Sequence, residues 1–465
     1  MRLKTSLAIA LSSLLLGCQS TYQIDEEYRS KLKIPASWQY QHTSGPVKPS
    51  WLGQITEPQV HQLVTTALSS NLALLQLALE IEVAKQQLVV SGSALWPTLD
   101  ISLDSVRRKS SSNTFSTEHA LDLKVGYELD LWGKLSEEER QANLTVMASL
   151  ANYQQQTHNL VADVVISWFA VIEGQTQQQL LNERLAVVEQ NLDIIESGYR
   201  QGLNSALDVY LARTELNNEQ AKLAQQKSVV ETRVRKLERL VGEYPSGLLT
   251  VDAPLPLLDS TLSTGLPSTL VSRKPSLLAS WYQLLAQDAA LAFAHKQRFP
   301  SLKLSASYGP SGEQLDDVLS FSAAGWSLLS SISAPLFNAG KLAAREEIAR
   351  TQLKSLELQY LNNLQDAFSD VENGISAEVA LKKRYQETLI AEKNAQLAEQ
   401  LSFEQYQKGL VSYTTVLDAQ KRAFDAKSSL ISIKNELIKN RVELHLALGG
   451  DFQQTEPKDV NNDIG

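Results

Sequence analysis

Two periodicities alternate along the chain. From Pro97 to Trp132 apolar and polar residues exchange at every second position: Leu99, Ile101 and Leu103 stand against Asp100, Ser102 and Asp104. After a Ser/Asn-rich loop at 110–117 come Leu121, Leu123, Val125, Tyr127, Leu129 and Leu131, set against Asp122, Lys124, Gly126, Glu128 and Asp130. Period two predicts strands with one apolar and one polar face, here a hairpin over about 97–132. A quieter version recurs over about 300–337, with Leu302, Leu304, Ala306 and Tyr308, then Trp326, Leu328, Ile332, Ala334 and Leu336 against mostly serines.

The rest of the chain reads as helix with a spacing close to 3.5. One series runs Leu181, Leu185, Val188, Leu192, Ile195, Tyr199. A tighter one runs Val416, Ala419, Ala423, Ala426, Leu430, Ile433, Leu437, Asn440, Leu444, Ala447. Steps of three and four are heptads, and small alanines suit close packing of several helices. The first-copy equivalents of that seam include Glu219, Gln226 and Arg233, which predicts a wetter environment there. No proline interrupts Glu138 to Ser197; a helix of that extent is ~90 Å long.

The pattern is written twice. At an offset of 207, Gly133-Lys134-Leu135 matches Gly340-Lys341-Leu342, and Tyr199, Gly202, Leu203 and Ser205 match Tyr406, Gly409, Leu410 and Ser412. Upstream the offset is 203, pairing Trp96-Pro97 with Phe299-Pro300. The four residues gained between Pro300 and Gly340 mark an exposed loop, where insertions cost least. Two tandem repeats follow, 57–243 and 266–449, joined by a proline-bearing linker at 244–265.

The N-terminus sets the compartment. Arg2 and Lys4 precede an apolar run, Leu7 to Leu16, too short to span a bilayer comfortably, so residues 1–17 read as a signal peptide. It ends Leu15-Leu16-Gly17-Cys18, and Cys18 is the chain's single cysteine, at the position where a bacterial lipoprotein is cut and acylated. One cysteine excludes an internal disulfide. Residues 18–56 are then a lipidated, extended N-terminal segment and 450–465 a polar tail. A formal charge of −9, with no concentrated basic stretch, argues against nucleic acid as a partner. No HExxH, GxxxxGK[ST], GxSxG or GxGxxG occurs, and the six histidines fall singly, so the sequence offers no equipment for catalysis, no metal cluster and no cofactor motif.

On a lipoprotein, strands with an apolar and a charged face predict a membrane barrel, apolar side to lipid and polar side to water, with Tyr127, Trp132, Tyr308, Trp326 and Phe337 at girdle positions. Four strands cannot close alone, since membrane barrels need about eight or more. Cyclic assembly would close the barrel and bring the helices into a ring.

These residues resemble the TolC-like outer-membrane efflux protein family, in its lipoprotein branch. Tyr127-Glu128-Leu129-Asp130-Leu131-Trp132-Gly133-Lys134 looks like the strand-to-helix signature, Pro335-Leu336-Phe337-Asn338-Ala339-Gly340 like its second-copy partner, and Tyr406-Gln407-Lys408-Gly409 followed by Val416-Leu417-Asp418-Ala419-Gln420 like the helix-tip motif. The resemblance implies a mainly α protein with a membrane β-barrel: a homotrimer with about twelve strands and a roughly 100 Å helical tunnel. It further implies docking to an inner-membrane pump through a periplasmic adaptor, at the helix-tip turns Gly202, Leu203, Gly409 and Leu410. Asp418 resembles the tunnel-constriction carboxylate and Asp208 its first-copy counterpart; with Tyr199 and Tyr406 they would line the entrance. Thr415 stands where some relatives carry a further acid. Small-molecule efflux is the favoured role, with a type I protein-secretion outlet as the alternative. A structural periplasmic coiled-coil lipoprotein would explain the heptads and Cys18 but not the amphipathic hairpins.

Overall fold

A computed structural model describes residues 24, 26–30, 34–39, 51–257, 264–265 and 267–452. Cys18, the signal peptide, most of the N-terminal segment, part of the linker and the tail from 453 lie outside the described residues. After a single helical turn at Glu26–Arg29 and a 3-10 turn at Trp51–Gln54, the elements run α1 (Pro58–Ser70), α2 (Leu72–Ser93), β1 (Thr98–Lys109), β2 (Phe115–Leu129), α3 (Lys134–Arg200), α4 (Ala206–Leu240), α5 (Pro267–Arg273), α6 (Pro275–Lys296), β3 (Ser301–Gly309), β4 (Ser311–Gly312), β5 (Gly325–Ser333), α7 (Lys341–Gln407) and α8 (Tyr413–Ala447). The chain is mostly helical. A helix of 67 residues is followed by one of 35, and the same lengths recur in α7 and α8; 67 residues extend ~100 Å. The described residues fall into two compact units, one containing 84–146 and 281–361, the other 34–39, 51–83, 147–257, 264–265, 267–280 and 362–452.

The first unit holds the strands in one antiparallel sheet of order β1-β2-β3-β5, with the two-residue β4 also against β2. The register decides the faces. Leu99 pairs with Val125 and Ile101 with Leu123; Val125 meets Ala306, Leu123 meets Tyr308 and Leu129 meets Leu302; Leu302, Ala306 and Tyr308 meet Ile332, Leu328 and Trp326. One continuous apolar face results, and it is bare: Ile101 is 74% exposed and Trp326 78%. On the other face Lys124 Nζ lies 2.9 Å from Asp104 and 3.9 Å from Asp122, and Lys303 lies 3.7 Å from Glu128. Alternation expected to run on to Leu336 stops at Ser333. Pro335 has no N–H to give a ladder, and Leu336 and Phe337 lie beyond the strand, almost fully exposed.

The signature strings act locally as helix starts. Asp130 accepts the backbone N–H groups of Leu135 and Ser136, each at 2.9 Å, and the Ser136 hydroxyl at 2.6 Å, satisfying donors that the first turn of α3 leaves free. In the second string Asn338 Oδ1 accepts from Leu342 N at 3.4 Å.

The second unit buries its core where the 3-10 turn and α1 cover α3 and α4. Trp51, Val60, Val64, Val164, Val165, Trp168, Phe169, Ile172, Leu237 and Val241 form one cluster. The apolar run Val161 to Ile172 is therefore a core stripe. Among the described residues no single helix is long and apolar enough to cross a membrane. Gly174 lets α3 and α4 approach: a Cβ there would stand 3.2 Å from Val230 Cγ2, and its carbonyl accepts Gln226 Nε2 at 2.8 Å.

Candidate functional site

The two helix-to-helix turns, 201–205 and 408–412, have the same construction. Gly202 N donates to Tyr199 O at 2.9 Å and Leu203 N to Gly198 O at 2.8 Å; Gly409 N donates to Tyr406 O at 2.8 Å and Leu410 N to Gln405 O at 2.9 Å. This paired closure needs a left-handed residue just past the helix, and Gly202 and Gly409 have φ of +75° and +71°. Nothing lies within 4 Å of a Cβ built at either, so backbone conformation alone, not space, selects glycine. The residues that follow, Leu203 and Leu410, are 76% and 70% exposed.

Behind the turns the two helix pairs share a small core. Ile195, Val209, Ala212, Tyr413 and Val416 are buried together, with Leu192, Leu211, Phe403, Tyr406 and Leu417 against them. The rings of Tyr406 and Tyr413 stand 5.4 Å apart. Burial, followed by Glu215, Tyr406 and Asp208, pushes the Tyr413 phenol up to about 12; burial and then Asp208 also raise Tyr406. The Tyr406 hydroxyl is buried with no hydrogen-bond partner among the described residues.

The four expected entrance residues do not form one cluster. Asp208 lies close enough to act on both tyrosines, but its own bonds are local. Its carboxylate accepts Ser205 N at 3.2 Å and its N–H donates to Ser205 Oγ at 3.2 Å, a reciprocal capping box at the start of α4. Asp418 is exposed and accepts from Arg422 Nε at 2.9 Å one turn along α8. Tyr199 is about half exposed. Asp208 and Asp418 are also not equivalent in position: Asp208 is the third residue of α4 and Asp418 the sixth of α8, and at the offset of 207 Asp208 corresponds to Thr415.

Sequence reasoning missed Arg184. Its side chain, nearly buried, donates to Gln420 O of α8 at 3.0 Å, pairs with Glu215 and lies 3.0 Å from Glu219, both on α4, and stacks over Phe424 at 5.0 Å. One guanidinium thus ties α3 to both α4 and α8. At Glu219 the expected wetter environment is corrected: it is 0% exposed, held by Arg184 and by Lys222 at 2.8 Å, whereas Gln226 and Arg233 are half-buried, the latter paired with Glu173. At Glu219 a buried ion pair takes the place of apolar contact. A shallow cavity of about 270 Å³ opens beside Arg184, lined by Val188, Glu399, Phe424 and Lys427 among others. Burial raises the Glu399 carboxyl, opposed by Lys427 and Arg184. No group of three or more His, Cys, Asp or Glu gathers to hold a metal ion among the described residues.

Comparison with known proteins gives these features a setting. The model of the outer membrane efflux protein family matches twice, over residues 63–243 and 266–450. The toluene efflux pump outer membrane protein TtgF of Pseudomonas putida is 29% identical over 471 residues, covering 96% of each chain. The probable outer membrane lipoprotein SilC of Salmonella typhimurium is 25% identical, covering 96% of this chain and 98% of the relative. Among solved structures, the Campylobacter jejuni CmeC outer membrane channel has a TM-score of 0.84 at 21% identity over 94% of both chains. The open state of the Neisseria gonorrhoeae MtrE outer membrane channel has 0.83 at 23% identity, covering 93% and 99%. At those identities the structural likeness is one of fold, and membership rests on the two family matches, which together take up most of the sequence: the chain belongs to the outer membrane efflux protein family.

Proposed function

We propose that this protein is the outlet subunit of a tripartite efflux system, a passive conduit through which small molecules leave from an inner-membrane pump and its periplasmic adaptor. The observation that carries the reading is the sheet. Its apolar face is bare, its other face is charged, and among the described residues neither β1 nor β5 has a second neighbour. Two unpaired edges are a liability that closure removes, and β1 of one copy against β5 of the next closes a ring. Two copies supply about eight strands and three about twelve, within the range of membrane barrels; the family's architecture favours three. The chain would then be two tandem copies of hairpin plus long helix pair, anchored by lipid on Cys18, with the 67-residue helices continuing the barrel as a tunnel.

The turns at Gly202 and Gly409, with Leu203 and Leu410 presented to solvent, are the proposed adaptor contacts. Tyr199, Tyr406, Asp208 and Asp418 are the proposed entrance. Three-fold symmetry turns an inward carboxylate into a ring of like charge that draws cations and repels anions. Single-channel recording of the purified oligomer in a planar bilayer tests both levels. The protein should conduct and prefer cations, and Asp208→Ala/Asp418→Ala should weaken that preference. Absence of conductance refutes the outlet; an unchanged reversal potential in the double variant refutes the entrance assignment alone.

A further inference from the structure

We propose that the tip of the first hairpin carries a binding surface for the phosphate of a lipid in the leaflet around it. The inference rests on the barrel reading, which turns the odd-numbered face of β1 and β2 toward hydrocarbon. Along β1 that face reads Leu99, Ile101, Leu103, Ser105, Arg107, Lys109. Three apolar side chains are followed by one hydroxyl and then two cations. Neighbours on one face of a strand are about 7 Å apart, so Arg107 stands two such steps, about 14 Å along the strand, past Leu103, with Ser105 between them, in the region where acyl chains give way to headgroups.

The cross-strand partners complete the surface. Arg107 faces Thr117 and Lys109 faces Phe115. The exposed Phe115 ring lies under both cations, with Arg107 Cζ at 5.1 Å and Lys109 Nζ at 5.6 Å from its centroid. Among the described residues neither cation has a carboxylate partner, whereas on the opposite face Lys124 is paired with Asp104 at 2.9 Å. The whole segment 105–117 holds Arg107, Arg108 and Lys109 and no acidic residue. An aromatic ring can orient a cation but leaves its charge uncompensated. Two such cations about 7 Å apart can both donate to one phosphate, the guanidinium through two parallel N–H groups. Acyl chains along Leu99 to Leu103 and a phosphate at Arg107 and Lys109 fit the same molecule. The occupant is therefore a lipid with an uncompensated phosphate, the chemistry of diphosphorylated lipid A; a headgroup that carries its own ammonium next to the phosphate complements this pair less well.

Native mass spectrometry of the full-length oligomer in detergent, with diphosphoryl lipid A as the probe and monophosphoryl lipid A and phosphatidylethanolamine as comparisons, reads the site directly. Retention should follow uncompensated phosphate, diphosphoryl lipid A above monophosphoryl lipid A above phosphatidylethanolamine, and fall about tenfold or more in Arg107→Gln/Lys109→Gln, as expected when two surface cations are lost. Arg107→Lys/Lys109→Arg, which keeps both charges, should bind as the wild type does. Arg108→Gln, between the two but on the other face, should also bind normally. Equal retention of all three lipids, undiminished binding in Arg107→Gln/Lys109→Gln, or an equal loss in Arg108→Gln overturns the site. The same preparations are to be recorded in planar bilayers. A wild type that conducts but shows no phosphate preference removes the lipid site alone, whereas one that does not conduct removes the barrel reading and the site with it.

Discussion

A cation at Leu123 tests the barrel at its most constrained point. Leu123 lies near the middle of the 15-residue β2, with Ile101 opposite on β1 and Tyr308 opposite on β3, so its surroundings on that face are apolar on both sides. Arginine near the midplane of a bilayer costs about 2–4 kcal/mol. Every copy carries the substitution, so three copies sum to about 6–12 kcal/mol, several powers of ten in an assembly equilibrium. The neighbouring residue supplies the control. Asp122 belongs to the other face, where its nearest cation, Lys124, is 3.9 Å away and is already held by Asp104 at 2.9 Å. Loss of so long and exposed a contact is worth about 0–1 kcal/mol. Leu123→Arg should therefore abolish most of the heat-modifiable oligomer recovered from outer membranes, and Asp122→Asn should leave it near wild-type yield. Were the apolar face in water instead, Leu123→Arg would change stability by no more than about 0.5 kcal/mol. Equal yields from the two variants would refute the assignment of the odd face to lipid.

Three further outcomes are expected. Arg184→Met leaves the fully buried Glu219 with Lys222 alone; breaking a buried pair costs about 3–5 kcal/mol, so the thermal midpoint should drop and partly recover in Arg184→Met/Glu219→Met, while an unchanged midpoint in the single variant would show that the pair adds nothing. Gly202→Ala and Gly409→Ala force a left-handed Cβ, at roughly 1–2 kcal/mol each, and should speed hydrogen exchange at Leu203 and Leu410 respectively; unaltered exchange would contradict the strained closure. His445, stacked on Trp51 at 6.0 Å, is held down to about 4 by burial and then by Arg441, with Glu378 opposing. Because the unfolded imidazole, near 6.5, takes up a proton first, this residue's contribution is complete above pH 6.5 and is lost as pH falls toward 4, by up to about 3 kcal/mol. The midpoint of His445→Gln should depend less on pH across that window, and an identical slope would assign the acid sensitivity elsewhere.

Strands, helices and turns were legible because each is a local event. Alternation at 99–103 and 121–129 is set by the two-residue strand period, and glycine at 202 and 409 by a backbone angle that other residues adopt only at a cost. The proline-free stretch from Glu138 to Ser197 already implied a very long helix, which extends a few residues further at each end. Pro335, by contrast, ends β5 earlier than the alternation around it implied.

What local pattern could not convey is partnership across the sequence. Asp208 read as an entrance charge, yet the hydrogen-bonding needs of a helix start account for both of its contacts with Ser205. Glu219 read as a wet position in a seam; only the arrival of Arg184 from a helix 35 residues earlier shows that it is buried and paired. The adjacency of β2 and β3, from segments more than 170 residues apart, joins two modest hairpins into one apolar face. By itself the sequence determined periodicity, breaks and caps, because these follow from each residue's own backbone preferences and immediate neighbours. Which buried charges are neutralised, and which strand edges stay open, was decided by the tertiary structure, since both depend on groups that meet only once the chain has folded.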